Sequence, residues 1–256
     1  MRMDKEEKMT DVRLSRKCGF YETYVKRLLD IICALLALVV FWWLFVIVAV
    51  VVRIKLGKPI LFKQPRPGRI DHYIGQEKVF YMYKFRSMSD ERDEQGNLLP
   101  DDVRLGKFGK VLRATSLDEL PEVFNILKGD MSIVGPRPQL VRDIVFMTDE
   151  QRMRHTARPG LSGLAQVNGR NNICWEDKLK WDLKYISKVS LWGDIKIIFQ
   201  TILKAFVKQE GITDGNMATA YDYGDWLLKE GKITREQYDE GQLRAINILK
   251  EKDAKR

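Results

Sequence analysis

The residues IICALLALVVFWWLFVIVAVVV, from Ile31 to Val52, run for 22 positions without a charge, a glycine or a proline. Coiled as an α-helix the run is roughly 33 Å long, close to the ~30 Å hydrocarbon thickness of a bilayer. A helix buried in a soluble core seldom stays apolar on every face over that length, so the stretch reads as a membrane helix. A cleaved signal peptide fits poorly. The polar region before the run is long, the run exceeds an h-region, and no A-x-A-like site follows it.

The flanks set the topology problem. Lys17, Lys26 and Arg27 precede the run; Arg53, Lys55, Lys58, Lys63, Arg66 and Arg69 follow it. With cations on both sides, the rule that keeps basic loops in the cytoplasm picks neither end. A helix that enters and returns on one face removes the conflict. A single pass with one basic end outside is the ordinary alternative, and both stand on these residues alone.

The chain around this segment has 256 residues, enough for one domain with appendages. Hydrophobic residues at 45% and charged residues at 31% indicate a globular chain, not a disordered one. The net charge of +9 implies an anionic partner: nucleic acid, acidic lipid or a phosphorylated substrate. Cys18, Cys33 and Cys174 are odd in number and widely spaced, which argues against a disulfide framework or a zinc site. His72 and His155 are too few for a His-centred metal site or a Ser-His-Asp triad.

The expected divisions are a leader over 1–23, the membrane helix over 24–56, a domain over 57–210 and an appended helical hairpin over 211–256 with no chemistry of its own. Lys78–Met88 alternates as a strand does. Ser89–Asp102 is an acidic loop. Val103–Arg113 is a short helix or a turn, and Ser116–Lys128 is a helix stopped by Gly129. Val134–Pro138 is extended or turned, because two prolines flank one residue. Ala157–Asn171 reads as a long glycine-rich loop of the kind that carries function. Glu176–Val189 and Ile195–Val207 are amphipathic helices. In the second, Ile195, Ile198, Phe199, Ile202, Leu203 and Phe206 share a face, which buries in the core or, alternatively, lies on a membrane surface. The fold class expected is α/β of the α+β kind: a small, mostly helical domain with a short sheet, anchored by one N-terminal helix.

Neither phosphate-cradling glycine motif is present, G-x-x-x-x-G-K-[ST] or G-x-G-x-x-G, and D-x-D is absent. The acidic group Asp90, Glu91, Asp93 and Glu94 sits in a polar loop and reads as a solvated turn. The segment RATSLDELPEVFNILKGDMSIVGPRP, Arg113 to Pro138, is different. Asp118 and Glu119 stand where a helix begins, with Pro121 tolerated in the first turn. One reading is purely structural: Ser116-x-x-Glu119 fits a capping box, and acids suit a helix N-terminus. The other is chemical. A helix N-terminus draws phosphate, a carboxylate there can attack phosphorus to give an acyl-phosphate, and Mg²⁺ would relieve the repulsion between the two anions. Arg113 and Arg137 are the candidates to grip the remaining phosphate oxygens, with Lys84 and Arg86 behind them.

These motifs, with YVKRLLD before the apolar run and GKPILFKQPRPG after it, YKFRSMSDERDEQG and RPGLSGLAQVNGRN, resemble the bacterial sugar transferase family, the monotopic phosphoglycosyl transferases. The resemblance runs from about Tyr24 to Lys208. It implies transfer of a phospho-sugar from a UDP-sugar donor to a polyprenyl (undecaprenyl) phosphate acceptor, with release of UMP, at the cytoplasmic face of the bacterial inner membrane. The family's Asp-Glu pair falls on Asp118, as nucleophile near Mg²⁺, and on Glu119, as a proton-transfer or positioning group. Its phosphate-binding arginine falls on Arg113, and the arginine of its Pro-Arg-Pro element on Arg137. The family's membrane helix is re-entrant and usually broken by Ser-Pro; here Trp42-Trp43 stands at that place, which leaves a straight crossing open. A homodimer is left open too, as is the identity of the sugar.

Two readings compete. A membrane-tethered nucleic-acid binder would explain the +9 charge and would show a steep salt dependence, but no recognised reader motif is present, and the expectation is no nucleic acid. A non-catalytic assembly protein would turn over no UDP-sugar.

Overall fold

The computed structural model describes residues 14, 16–71, 75–169, 174–206 and 221–254. Most of the expected leader, His72, the end of the glycine-rich stretch and the segment 207–220 lie outside the described residues.

A π-helical turn, Tyr21–Val25, leads into α1, Lys26–Leu56, an unbroken helix that stops at Gly57 with φ +79°. Lys26, Asp30 and Ala34 near its start and Val48 and Val52 near its end are buried. Leu36, Val39, Val40, Trp42, Val46 and Ile47 between them are exposed. One narrow stripe of α1 lies along the domain, then, and the rest of its circumference is uncovered hydrocarbon. Of its most apolar stretch only 11% is buried, far too little for a soluble core helix; this surface suits lipid.

Both ends of α1 are fastened to the same body. Near the start, Arg27 donates to the carbonyls of Ile126 and Leu127 at 2.5 and 2.9 Å. Asp30 accepts from the Ser132 hydroxyl at 3.1 Å and the Ile133 amide at 3.0 Å. Near the other end, Val48 and Val52 pack with Phe85 and Leu112. At 1.5 Å per residue, Lys26 and Val52 are roughly 39 Å apart along the axis.

The domain begins with an antiparallel hairpin, β1 (Leu61–Ile70) and β2 (Glu77–Phe85), in which Leu61 pairs with Phe85 and Pro67 with Val79. β1 was not foreseen, because Pro65 and Pro67 argue against a strand. A two-stranded ribbon has free edges, which tolerate prolines. α2 (Asp101–Arg104) and α3 (Gly106–Ala114) follow the acidic loop.

The helix expected over Ser116–Lys128 is two elements. Ser116 adopts φ 55°, a 3₁₀ turn spans Leu117–Glu119, and α4 runs Glu122–Lys128 to Gly129 at φ +89°. No capping box forms: the Ser116 side chain makes no cap hydrogen bond, since its left-handed backbone belongs to a turn and not to an N-cap.

β3 (Ser132–Val134), α5 (Val141–Ile144) and α6 (Asp149–Arg152) come next, then β4 (Gly160–Ser162) and α7 (Leu164–Val167). The stretch expected as one long loop after Ala157 thus carries a strand parallel to β3 and a helical turn. Its glycines have a packing cause. A Cβ on Gly160 would stand 2.0 Å from the Gly135 nitrogen, so the two chains approach only because both lack side chains.

α8 (Trp175–Ser187) and α9 (Leu191–Phe206) close the domain. Of the two alternatives for the apolar face of α9, burial in the core does not occur. Ile195, Ile198, Phe199, Ile202 and Leu203 are exposed, and Ile197 alone of that stretch is buried. The apolar face exceeds what the small core behind it can cover. α10 (Tyr223–Lys229) and α11 (Arg235–Ala254) follow as a helical pair. The result is the mostly helical α+β domain with short sheets that was expected, beside a long apolar N-terminal helix.

Candidate active site

The candidate residues meet where the end of β2, the turn before α4 and the segment after β3 converge. Asn125 of α4 fixes that convergence. Fully buried, it accepts from the Tyr83 amide at 3.0 Å and donates to the Tyr81 carbonyl at 2.7 Å, pairing the free edge of β2 with a side chain. This holds Lys84 over the start of α4.

Glu119 receives two cations on one oxygen, Lys84 at 2.7 Å and Arg137 at 2.9 Å. Lys84 also reaches Glu122 at 3.2 Å. Burial works against ionisation of Glu119, but Arg137 and Lys84 outweigh it and hold its carboxyl well below the usual range. Glu122 goes the other way: burial and the neighbouring Glu119 push it up.

Asp118 is the distinct group. It is only 7% exposed, yet among the described residues no hydrogen bond ties its carboxylate. Burial raises its affinity for a proton; the charges of Lys84, Arg113 and Arg137 pull the other way. A poorly solvated, untethered carboxylate can serve as a nucleophile, and cations around it can hold an anion. Arg113, in the last turn of α3, donates through Nε to the Ser87 hydroxyl at 3.0 Å, which orients the guanidinium.

Arg86 is not part of this cluster. Its guanidinium goes to the carbonyls of Met88 and Lys58, each at 2.9 Å, and to Asp90 at 2.7 Å. It pins the chain after β2 to the end of α1.

The segment carrying Arg137 is gripped through its backbone. The Arg137 carbonyl accepts from fully buried Arg154 at 2.6 Å, and the Pro138 carbonyl from Arg66 at 3.2 Å. A small cleft beside the cluster is lined by Arg66, Met82, Glu122, Arg137, Pro138 and Gly160. Burial and the Arg137 charge push Arg66 down to about 10, and its buried Nε has no partner among the described residues. Glu122, Arg66, Asn125 and Arg154 were not singled out from sequence. Only Glu122 carried a signal, a third acid one helical turn beyond Glu119.

For Mg²⁺ the donor set is thin but sufficient. Glu119 and Glu122 are committed to Lys84, which leaves Asp118, and among the described residues no cluster of three or more His, Cys, Asp or Glu could form a metal cage. Mg²⁺ is commonly held by one or two carboxylates together with substrate phosphates, so Asp118 fits an ion that a diphosphate completes.

Residues 21–208 match the family described as bacterial sugar transferase. The chain is 46% identical over 196 residues to an uncharacterized sugar transferase EpsL of Bacillus subtilis, covering 77% of this chain and 94% of that one. It is 38% identical over 194 residues to a UDP-glucose:undecaprenyl-phosphate glucose-1-phosphate transferase of Klebsiella pneumoniae, covering 72% of this chain and 40% of the relative. It is 38% identical over 188 residues to a UDP-N-acetylgalactosamine-undecaprenyl-phosphate N-acetylgalactosaminephosphotransferase of Aeromonas hydrophila, covering 70% of this chain and 43% of the relative. The chain spans about two fifths of the length of the latter two.

Proposed function

The chain belongs to the bacterial sugar transferase family, and from the site it carries we propose that it moves a sugar-1-phosphate from a UDP-sugar to undecaprenyl phosphate at the cytoplasmic face of the inner membrane. The observation that carries the reading is Asp118: a buried carboxylate, free of hydrogen bonds among the described residues, held within a ring of Lys84, Arg113 and Arg137.

In the first half-reaction an Asp118 oxygen attacks the phosphorus that bears the sugar. The bond from that phosphorus to the bridging oxygen breaks, UMP leaves, and the phospho-sugar stays on Asp118 as an acyl-phosphate. In the second, a phosphate oxygen of the lipid acceptor attacks the same phosphorus. The acyl bond breaks, the polyprenyl diphosphate sugar departs, and the carboxylate is restored. Arg113 and Arg137 bind the non-bridging oxygens. Glu119 positions Lys84 and Arg137, a role its ion pairs support over proton transfer. Mg²⁺, held by Asp118 and the donor's phosphates, would supply charge neutralisation.

The membrane helix is proposed as re-entrant, with its start and the domain on one side. Its two ends pack on one body, which supports this over a crossing. Where the family usually carries Ser-Pro, α1 runs on unbroken and the Trp43 indole donates to the Val40 carbonyl at 3.1 Å.

The test is incubation with UDP-sugar donor and Mg²⁺ alone, without acceptor. The expected result is one equivalent of UMP and a phospho-sugar adduct on Asp118 by peptide mass, both lost in Asp118→Asn. An active Asp118→Asn, or a wild type that turns over without an adduct, overturns the reading.

A further inference from the structure

The last two helices lie beyond the family match, which ends at residue 208, yet they complete the domain. Tyr223 and Leu227 share one buried cluster with Val79, Val141, Ile144 and Trp175. Phe146, just after α5, stacks on Tyr238 of α11 with ring centroids 5.9 Å apart. Gly224 and Gly241 admit that ring: a Cβ on either would fall 2.5 or 2.3 Å from it.

The join to the site runs through Asp143. It is 1% exposed, and each of its oxygens is committed to a backbone amide. Oδ2 accepts from Leu140, three residues past Arg137, at 2.8 Å; Oδ1 accepts from Tyr223, the first residue of α10, at 2.9 Å. A carboxylate taken out of water needs such donors, so if α10 withdraws, Asp143 loses half its support and re-solvates. The amide at Leu140 is then released, and with it one fixed end of the segment that carries Arg137. Arg154 and Arg66 still hold the carbonyls of Arg137 and Pro138, so what is lost is the anchor at Leu140, on the C-terminal side of Arg137.

We propose that α10 and α11 form a positioning element for Arg137, acting through Asp143, so that residues 221–254 belong to the catalytic unit. The inference about catalysis rests on the phosphoglycosyl transfer proposed above; the mechanical coupling does not.

The experiment uses the full chain in detergent or nanodiscs. Asp143→Asn turns one acceptor oxygen into a donor. Tyr238→Ala loosens the helical pair from Phe146 without touching Asp143 or the Arg137 segment. Each is made alone and with Arg137→Ala. Each single variant is expected to lower kcat/KM for the donor roughly 10-fold and to add less than about twofold once Arg137 is absent, the mark of action through one group. Independent effects in the double variants overturn the proposal. If Asp143→Asn does not fold, the Tyr238→Ala cycle decides. A second readout needs no activity. In Tyr238→Ala the Leu140 amide is expected to exchange hydrogen roughly 10-fold faster, with Val134 in β3 unchanged. An unchanged Leu140 rate overturns the coupling. A wild type that releases no UMP from any UDP-sugar sinks the proposed function, and the exchange result then judges the coupling alone.

Discussion

Lys84 lies 2.7 Å from Glu119 across the seam between β2 and the turn that carries Asp118, and it is the strongest charge opposing the effect of burial on Asp118. In the proposed mechanism Asp118 must be ionised to attack phosphorus, and burial already raises its proton affinity. Activity should therefore fall on acidification at a pH above the usual carboxylate range. Removing Lys84 raises that affinity further. In Lys84→Met the acid limb of kcat/KM is expected to move up by about one pH unit, while Lys84→Arg, which keeps the charge, moves it little. UMP release against pH measures it, and a limb that stays put in Lys84→Met assigns the titration elsewhere.

Asn125 makes a prediction about stability. Its amide satisfies a partly buried N–H and a partly buried C=O on β2. Asn125→Ala leaves both unpaired and is expected to cost about 2–4 kcal/mol, from two uncompensated, partly buried backbone groups. Asn125→Asp keeps the acceptor but turns a buried carboxylate oxygen toward the Tyr81 carbonyl, so it should cost at least as much. Denaturant midpoints in one detergent rank the three; an Asn125→Ala loss under about 0.5 kcal/mol, the size of an ordinary surface change, would mean that α4 is held by its apolar face alone.

Much of this was readable in the chain and some was not, for physical reasons. The membrane helix follows from an apolar run with no polar face. Asp118, Glu119, Arg113, Arg137 and Lys84 were picked out by residue type and motif, and the fold brings them together. Arg86 was picked with them and stands apart, because a guanidinium's partners are set by which backbone carbonyls happen to face it. β1 was hidden by its prolines. The α9 face was left between core and membrane surface because periodicity reports that a stripe exists and not what covers it; its exposure removes the core alternative. Asn125, Arg154 and Asp143 left no signal at all: each answers an unpaired backbone group created by tertiary contacts.

His155 gives the fold a pH dependence away from the active site. Arg154 can only donate, so its 3.0 Å contact makes His155 Nε2 the acceptor and puts the ring proton on Nδ1, which donates to Glu77 at 3.1 Å. Burial pushes the ring's pKa down to about 4. Glu77, which burial would raise, is instead brought to about 2 by His155 and Arg152. The unfolded chain takes up a proton on histidine below about 6.5 that the folded chain refuses until about 4. Stability from this group is therefore complete above that upper value and drains away as the pH falls through the window, by something on the order of 3 kcal/mol. The Glu77 share is lost only at lower pH. Unfolding of the wild type against His155→Gln, from pH 7 to 4, should show the steeper decline in the wild type; parallel profiles would mean that the imidazole is reached by water.

The packing of α1 predicts its topology. Asp30 is bonded to β3, and Val52 is packed against β2 and α3 at the opposite end of the same helix. If α1 crossed the bilayer, roughly 30 Å of hydrocarbon would separate those two ends, and one of the two contact sets could not exist. Both sets present together support the proposed topology, in which the start of the helix and the domain share a face. With Cys18, Cys33 and Cys174 replaced by serine, single cysteines at the exposed positions Lys17 and Lys55 report each end. A membrane-impermeant maleimide should label neither in intact spheroplasts and both once the membrane is opened. Labelling of position 17 from outside would place the helix across the bilayer. It would also require the hydrogen bonds from Ser132 and Ile133 to Asp30 to be absent in the membrane, and Asp30→Ala would then leave stability and UMP release unchanged. If the ends share a face, the same substitution leaves the Ser132 hydroxyl and the Ile133 amide unpaired at the root of α4 and β3. Thermal stability and activity should then fall together, with about 1–3 kcal/mol lost for each buried donor left without its partner.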